Sequence, residues 1–427
     1  MKLNLKKIII DQKESLDAIL KEDHLIEREV LPFFRSFLNS SLIKVITGPR
    51  RSGKSILCYQ LLKGNQFAYI NFDDESLGHI AASDLNDVLE VFYELYDHPQ
   101  FVFLDEIQNI HGWELFVNRL HRLKMNIVLT GSNAHLLSQE LSTHLTGRHY
   151  SLELYPFSFK EFLMYKNITY SQKEPLSTKT IANIKGMLDE YMRIGGFPEC
   201  LKEKDYRRYL LSLYSSIITK DIAIRHNVRF ISSLKEIALY LLSNISSPIT
   251  FNKLKNFFQI KSVHTVKNYV TFLEESYLIF MLERFSFKMK ERLSAPRKVY
   301  AVDIGLAQAV GVTHTPNYGP LYENIVAIEL FRRKSLDLDV EIYYWQDYSQ
   351  KEVDFLIKKG TKFLQLIQVC YNLNSYETKK REITSLLRAA KELKCRELLI
   401  ITASYESEEK EEKYLLKYTP LWKWLLT

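Results

Sequence analysis

Gly48-Pro49-Arg50-Arg51-Ser52-Gly53-Lys54-Ser55 places two glycines, a lysine and a hydroxyl in the spacing G-x-x-x-x-G-K-[ST]. Each residue type answers a need of phosphate chemistry. Glycines at 48 and 53 let the backbone bend so that successive N–H groups face one anion, and a helix starting there adds the positive end of its dipole. Lys54 has the reach and charge for β- and γ-phosphates, and the Ser55 hydroxyl suits Mg2+. Pro49, Arg50, Arg51 and Ser52 lie within the cradle, which Arg50 and Arg51 serve through their backbone N–H groups. The side chains of Arg50 and Arg51 could meet phosphate or pair with Asp73 or Asp74. The run implies a site for ATP and Mg2+.

Three further groups fit the same chemistry. Phe101-Val102-Phe103-Leu104-Asp105-Glu106 is an apolar strand ending in two acids. Its geometry would bring Asp105 to the metal beside Ser55, while Glu106, one residue on, could polarise the attacking water as catalytic base. Ile127-Val128-Leu129-Thr130-Gly131-Ser132-Asn133 is another apolar run ending in polar residues. Ser132 or Asn133 could sense the γ-phosphate, or cap a helix over Ala134–Leu141. Arg148, in Leu145-Thr146-Gly147-Arg148, could stabilise transition-state charge in its own chain or a neighbouring subunit, or serve in a structural ion pair.

The elements that must position these groups alternate. Strands are expected at Leu42–Thr47, Phe67–Asn71, Phe101–Leu104, Ile127–Thr130 and His149–Leu154, with helical spacing over Ala82–Tyr96 and Glu114–Leu123. Right-handed crossovers between such strands build a parallel α/β sheet. The expected organisation is a helical segment over 1–40, an ATPase core over 41–156, and a helical lid or connector over 157–229 broken by Gly195-Gly196-Phe197-Pro198. Helical patterns at Leu234–Ser243, Phe251–Phe258 and Ser262–Glu275, then the apolar run Tyr277–Leu282, suit a winged helix over 230–295. Its Val263–Val270 segment would offer His264, Thr265, Lys267 and Asn268 to DNA, or form the solvated face of an interdomain helix. A second α/β domain is expected over 296–427, with Ser404–Lys413 as an exposed loop.

Composition narrows the setting. The 58 Lys+Arg against 51 Asp+Glu leave +7, compatible with nucleic acid but too mild to demonstrate it. Cys58, Cys200, Cys370 and Cys395 lack metal-ligand spacing and read as reduced cytoplasmic thiols, and no apolar run is long enough for a membrane.

Together, the phosphate loop, Asn71-Phe72-Asp73-Asp74, Leu104-Asp105-Glu106, Thr130-Gly131-Ser132-Asn133 and Leu145-Thr146-Gly147-Arg148 resemble the AAA+ ATPases of bacteria and archaea. Gly195-Gly196-Phe197-Pro198-Glu199, Lys220-Asp221-Ile222, Lys298-Val299-Tyr300-Ala301-Val302-Asp303-Ile304-Gly305 and Pro420-Leu421-Trp422-Lys423-Trp424 resemble that family's C-terminal domain of unknown function. The resemblance implies an AAA+ core, a winged helix and a terminal domain similar to PD-(D/E)XK nucleases. A nuclease of that kind needs metal-binding acids and a lysine. Glu323 and Asp354 match the first positions, but Gln368 stands for the next acid and Cys370 for the lysine, so an inactive domain is expected. The leading reading is an Mg2+-dependent ATPase that repositions its C-terminal half on DNA or a protein, as a monomer or homo-oligomer. The alternatives are a slowly hydrolysing switch and an ATP-driven nuclease.

Overall fold

In this computed structural model, residues 2–19, 25–133, 147–170, 176–312, 317–373 and 375–427 are described. The expected helix at 134–141, and Leu145 and Thr146, lie outside them. The chain divides into two compact units, one formed by Met1–Phe157 with Glu275–Tyr277, the other by Ser158–Glu274 with Leu278–Thr427.

The first unit is built on a parallel sheet of β1 (Ile43–Thr47), β2 (Phe67–Asn71), β3 (Phe101–Asp105), β4 (Asn126–Gly131) and β5 (His149–Glu153), in the order β2-β3-β4-β1-β5. Every residue of β1 and β3 is buried. That is why these strands read as mainly apolar runs, with Lys44 a buried exception in β1: crossover helices cover both faces of a parallel sheet, leaving no face for alternating polar residues. The helix Leu85–Tyr96 buries Leu85, Val88, Leu89, Val91 and Phe92, and Trp113–Arg122 buries Trp113, Phe116, Val117 and Leu120. Both sets follow the three-to-four-residue spacing of one helix face. The N-terminal helix Lys2–Ile19 belongs to this core through Leu5 and Ile9, and Gln12 pairs with both the N–H and the carbonyl of Asn71 at the end of β2.

The second unit begins with helices Phe159–Tyr165, Thr178–Ile194 and Tyr206–Ser216, followed by a π-helical stretch, Ile217–Ile224, that holds Lys220-Asp221-Ile222. Helices Ile231–Ser243, Phe251–Phe257 and Val263–Glu275 then accompany an antiparallel sheet of β6 (Ser247–Ile249), β7 (Ile279–Leu282) and β8 (Arg297–Ala301), ordered β6-β8-β7. A six-stranded mixed sheet follows, ordered β13-β14-β12-β11-β10-β9. Its strands are β9 (Val340–Gln346), β10 (Glu352–Lys359), β11 (Lys362–Cys370), β12 (Leu398–Thr402), β13 (Ser407–Glu411) and β14 (Tyr414–Pro420). Helices Tyr318–Lys334 and Tyr376–Leu393 pack on it.

The loop expected at Ser404–Lys413 is corrected here. Ser407–Glu411 is the edge strand β13, antiparallel to β14. Its Ser-Glu-Glu-Lys-Glu sequence reads as loop because an edge strand with an exposed face needs no apolar residues, and its charges guard the open edge.

Two of the downstream motifs close on each other. Asp303 accepts hydrogen bonds from the Gly196 N–H (2.7 Å) and the Leu306 N–H (2.8 Å). A Cβ on Gly305 would lie 2.1 Å from the Ile194 carbonyl oxygen, and one on Gly195, at φ +83°, 2.2 Å from Asp303 Oδ1. Gly195-Gly196 and Asp303-Ile304-Gly305 thus form one backbone crossing that only glycine permits.

Candidate functional site

The nucleotide-site residues collect at the carboxyl ends of β1, β3 and β4. Gly48, at φ +146°, follows β1 directly, and a Cβ there would sit 2.2 Å from the Leu154 carbonyl oxygen just after β5. Gly53, at φ +90°, precedes the helix Lys54–Leu62. Arg51 also takes a positive φ, and the Arg50 guanidinium lies 3.0 Å from Asp73 Oδ2. Ser52 is buried.

Lys54 is 4 % exposed at its side chain. Its ammonium donates to the carbonyls of Gly48 (3.2 Å) and Pro49 (3.1 Å) and lies 3.4 Å from Glu106 Oε1. Glu106 adopts φ +51°, ψ +43° immediately after β3. That left-handed conformation is costly for a residue with a Cβ, and such strain collects at functional sites. It turns the side chain toward Lys54, while Glu106 Oε2 accepts from Gln108 Nε2 (2.5 Å) and the Ser132 N–H (3.2 Å). Burial opposes the charge on Glu106, but Lys54 and these donors outweigh it and hold the carboxyl below its usual range.

Asp105 is 2 % exposed. Thr130 Oγ1 donates to its Oδ1 and accepts from the Glu106 N–H (3.0 Å), so one hydroxyl braces both acids. Tyr69 OH donates to Asp105 Oδ2 (3.3 Å). Burial and the neighbouring charge of Glu106 push the Asp105 carboxyl up to about 6 despite hydrogen bonds to Thr130 and Ser55. At Asp105 burial and the Glu106 charge thus outweigh the donors, and with Ser55 bonded to it the pair suits a divalent cation.

Strand order makes the arrangement possible. β4 lies between β1 and β3, pairing Thr47 with Gly131 on one side and Leu104 with Leu129 on the other. Thr130, Ser132 and Asn133 therefore stand between the phosphate loop and the acids, and Asn133 is buried there. Arg148 is not among them. It lies exposed just before β5, its carbonyl accepting from the Ile43 N–H at the start of β1 and its guanidinium donating to Asn118 (3.3 Å). The phosphate loop leaves the opposite end of β1. Within one chain Arg148 is four strand residues, roughly 13 Å, from that end, which corrects its expected reach in cis.

Thr130, Tyr69, Gln108 and Arg28 escaped the sequence reading. Arg28, 5 % exposed, donates to the Ser52 carbonyl (2.9 Å) within the phosphate loop and to the Tyr155 carbonyl (2.7 Å). Thr130 and Tyr69 carried a weak signal as polar groups ending or interrupting apolar strands. Arg28 carried none, because its partners are backbone carbonyls distant in sequence.

The downstream acids sit in the second unit. Glu323 and Asp354 meet at Lys298, while Gln368 Oε1 accepts from the Asp354 N–H (3.3 Å) and its Nε2 donates to Glu382 (2.7 Å). Cys370 Sγ donates to the Asn372 carbonyl. All four cysteines are buried and free. Among the described residues no helix is long and apolar enough to cross a membrane.

Comparison with known proteins identifies three regions of the chain. An AAA domain family matches residues 40–163, and two domains of unknown function match 185–316 (DUF8612) and 318–424 (DUF4143). An uncharacterised protein of Methanocaldococcus jannaschii is 35 % identical over 442 aligned residues, covering 100 % of this chain and 96 % of that protein. Another from Haemophilus influenzae is 33 % identical, covering 80 % of this chain and 86 % of that protein. Among solved structures, ORC1 of Aeropyrum pernix in complex with DNA aligns with 67 % of this chain and 92 % of its own, at 10 % identity and a TM-score of 0.31, a likeness too slight to support an argument. The chain carries an AAA-type nucleotide-binding domain joined to two domains of unknown function, and it belongs to the family of these archaeal and bacterial proteins.

Proposed function

We propose that the chain is an Mg2+-dependent ATPase that transfers the γ-phosphoryl group of ATP to water. The observation that carries this reading is Glu106. Its strained backbone aims a charged carboxylate at Lys54, and Gln108 and the Ser132 N–H fix its orientation. When ATP enters, the phosphates displace Glu106 from Lys54, leaving the carboxylate to accept a proton from the attacking water. Lys54 and the loop N–H groups hold the phosphates, and Asn133 is suited to sense the γ-phosphate. Bound Mg2+, held by Ser55 and Asp105, would neutralise charge on the β- and γ-oxygens. Phosphate release by the wild-type chain, absent in Lys54→Ala, tests this; equal release by both would sink it.

The work done with ATP is read from the second unit. Three helices with a sheet ordered β6-β8-β7 support reading residues 230–295 as a winged helix. On Val263–Glu275, Val266, Tyr269 and Val270 are buried while His264 and Lys267 are exposed, which separates a core face from a groove-competent one. The Lys267 ammonium and the Arg297 guanidinium both lie within 6 Å of the Phe251 ring, at 5.7 and 5.9 Å, and form a cationic edge suited to phosphate. DNA engaged there, with the six-stranded module as a degenerate nuclease-like platform, is the reading these features favour. DNA binding that loses about one unit of salt slope in Lys267→Ala supports it, and an unchanged slope counts against it.

The second reading is a switch that holds ATP for long periods. DNA-stimulated turnover would exclude the switch.

A further inference from the structure

The carboxylates of the second unit converge on a side chain rather than on open space. Lys298, on β8, is 2 % exposed. Its Nζ lies 2.7 Å from Glu323 Oε1, 2.7 Å from Glu352 Oε1 and 3.0 Å from Asp354 Oδ1. The acids come from two elements: Glu323 from the helix Tyr318–Lys334, and Glu352 and Asp354 from alternate positions at the start of β10. Two of them are anchored by other donors. Tyr300 OH donates to Glu323 (2.7 Å), and the Val369 N–H donates to the free oxygen of Asp354 (2.9 Å). Behind Asp354, both ends of Gln368 are engaged.

Three hard oxygens fixed around one point make the donor set of a divalent cation, for which carboxylate oxygens stand at roughly 2.3–2.6 Å for Ca2+ and about 2.0 Å for Mg2+. Here an ammonium occupies that point at slightly longer distances. Among the described residues, no group of His, Cys, Asp and Glu stands ready to take a metal ion. An ammonium held at hydrogen-bond distance by three acids is placed as a counter-ion rather than as a base or nucleophile.

We propose that Lys298 is the resident cation of this carboxylate pocket, its ammonium standing where a divalent metal would bind and so excluding metal-dependent phosphodiester chemistry from the C-terminal half. The same ammonium ties β8 to the helix carrying Glu323 and to β10. The inference is independent of the nucleotide site. It explains the convergence of three acids by a structural charge rather than by a metal ion.

Lys298→Met in the full-length chain should open the pocket. Terbium luminescence reports it, since Tyr300 touches the cluster and can sensitise a bound lanthanide. The expected result is a Tb3+ dissociation constant at least about tenfold lower than that of the wild-type chain, together with a rise in unfolding temperature on adding millimolar Ca2+. Both gains should vanish in Lys298→Met/Asp354→Asn. That comparison also cancels any ion bound at Asp105. Lys298→Arg, which keeps a cation, should show neither gain. Absence of the gain in Lys298→Met overturns the proposal, as does failure of that variant to fold even with Ca2+ present. Tb3+ or Mn2+ binding by the wild-type chain that Asp354→Asn abolishes would also overturn it.

Discussion

Replacing Glu106 with glutamine separates binding from chemistry. The carboxylate lies 3.4 Å from the Lys54 ammonium, and both side chains are largely buried. At an effective dielectric of about 20, unit charges at that distance attract by roughly 5 kcal/mol. ATP must break this pair to reach Lys54, regaining most of the attraction through its own phosphates. Glu106→Gln abolishes the pair in advance and removes a negative charge from the path of the γ-phosphate. If only a quarter of that energy reaches the bound state, affinity for Mg·ATP rises about tenfold. Glutamine can still accept from the Ser132 N–H but cannot take a proton, so turnover should fall by about 10²–10⁴. Titration with a fluorescent ATP analogue gives the affinity, and steady-state phosphate release gives the rate. Turnover within about threefold of wild type would refute the role of Glu106 as base. Weakened binding would refute the idea that Glu106 restrains Lys54.

Other expectations follow from single contacts. Thr130→Val keeps the shape of a buried side chain but withdraws the hydroxyl shared by Asp105 and the Glu106 N–H; a loss of about 1–3 kcal/mol in chemical denaturation is expected, with turnover falling more than nucleotide affinity, and an unchanged rate would show that the brace is dispensable. Gly305→Ala sets a methyl 2.1 Å from the Ile194 carbonyl oxygen, so the second unit should lose at least about 2 kcal/mol while the first still binds nucleotide, and a wild-type melting profile would refute the crossing. Asp303 gives a pH signature. Burial pushes its carboxyl up to about 6 from a usual value near 3.8. Between those values the folded chain keeps a proton that the unfolded chain has released, so this group's contribution to stability falls as pH rises through that window, by roughly 3 kcal/mol in all. The stability difference between wild type and Asp303→Asn should shrink accordingly from pH 4 to pH 6, and a difference independent of pH would contradict it. Arg148→Ala tests the trans alternative: mixed with Lys54→Ala, it should recover turnover only if Arg148 acts on a neighbour's nucleotide.

Gly48–Ser55, Asp105 and Glu106 were legible in the chain because their chemistry is local. A phosphate loop needs its glycines, lysine and hydroxyl within eight residues, and an acidic pair needs only the end of one buried strand. The strands themselves were legible because a sheet covered on both faces demands continuous apolar runs, and the GGFP turn was legible because its glycines interrupt a helical pattern. Where chemistry depends on residues brought together from afar, the pattern fell silent. Nothing in the order of the chain says that β4 lies between β1 and β3, yet that insertion lets Thr130 brace both acids and Ser132 hold Glu106. Strand order likewise removed Arg148 from its own site, and pairing with β14 turned a charged stretch into β13. By itself the sequence determined that phosphates could be held and which acids could serve a metal and water, since those are properties of residue types at short spacing. Only the tertiary structure decided which groups neutralise one another. Lys54 with Glu106, Asp303 with Gly196, and Lys298 with three carboxylates are meetings across 52, 107 and up to 56 positions. Such meetings are set by how strands and helices pack, because buried charge is tolerated only where the fold delivers its partner.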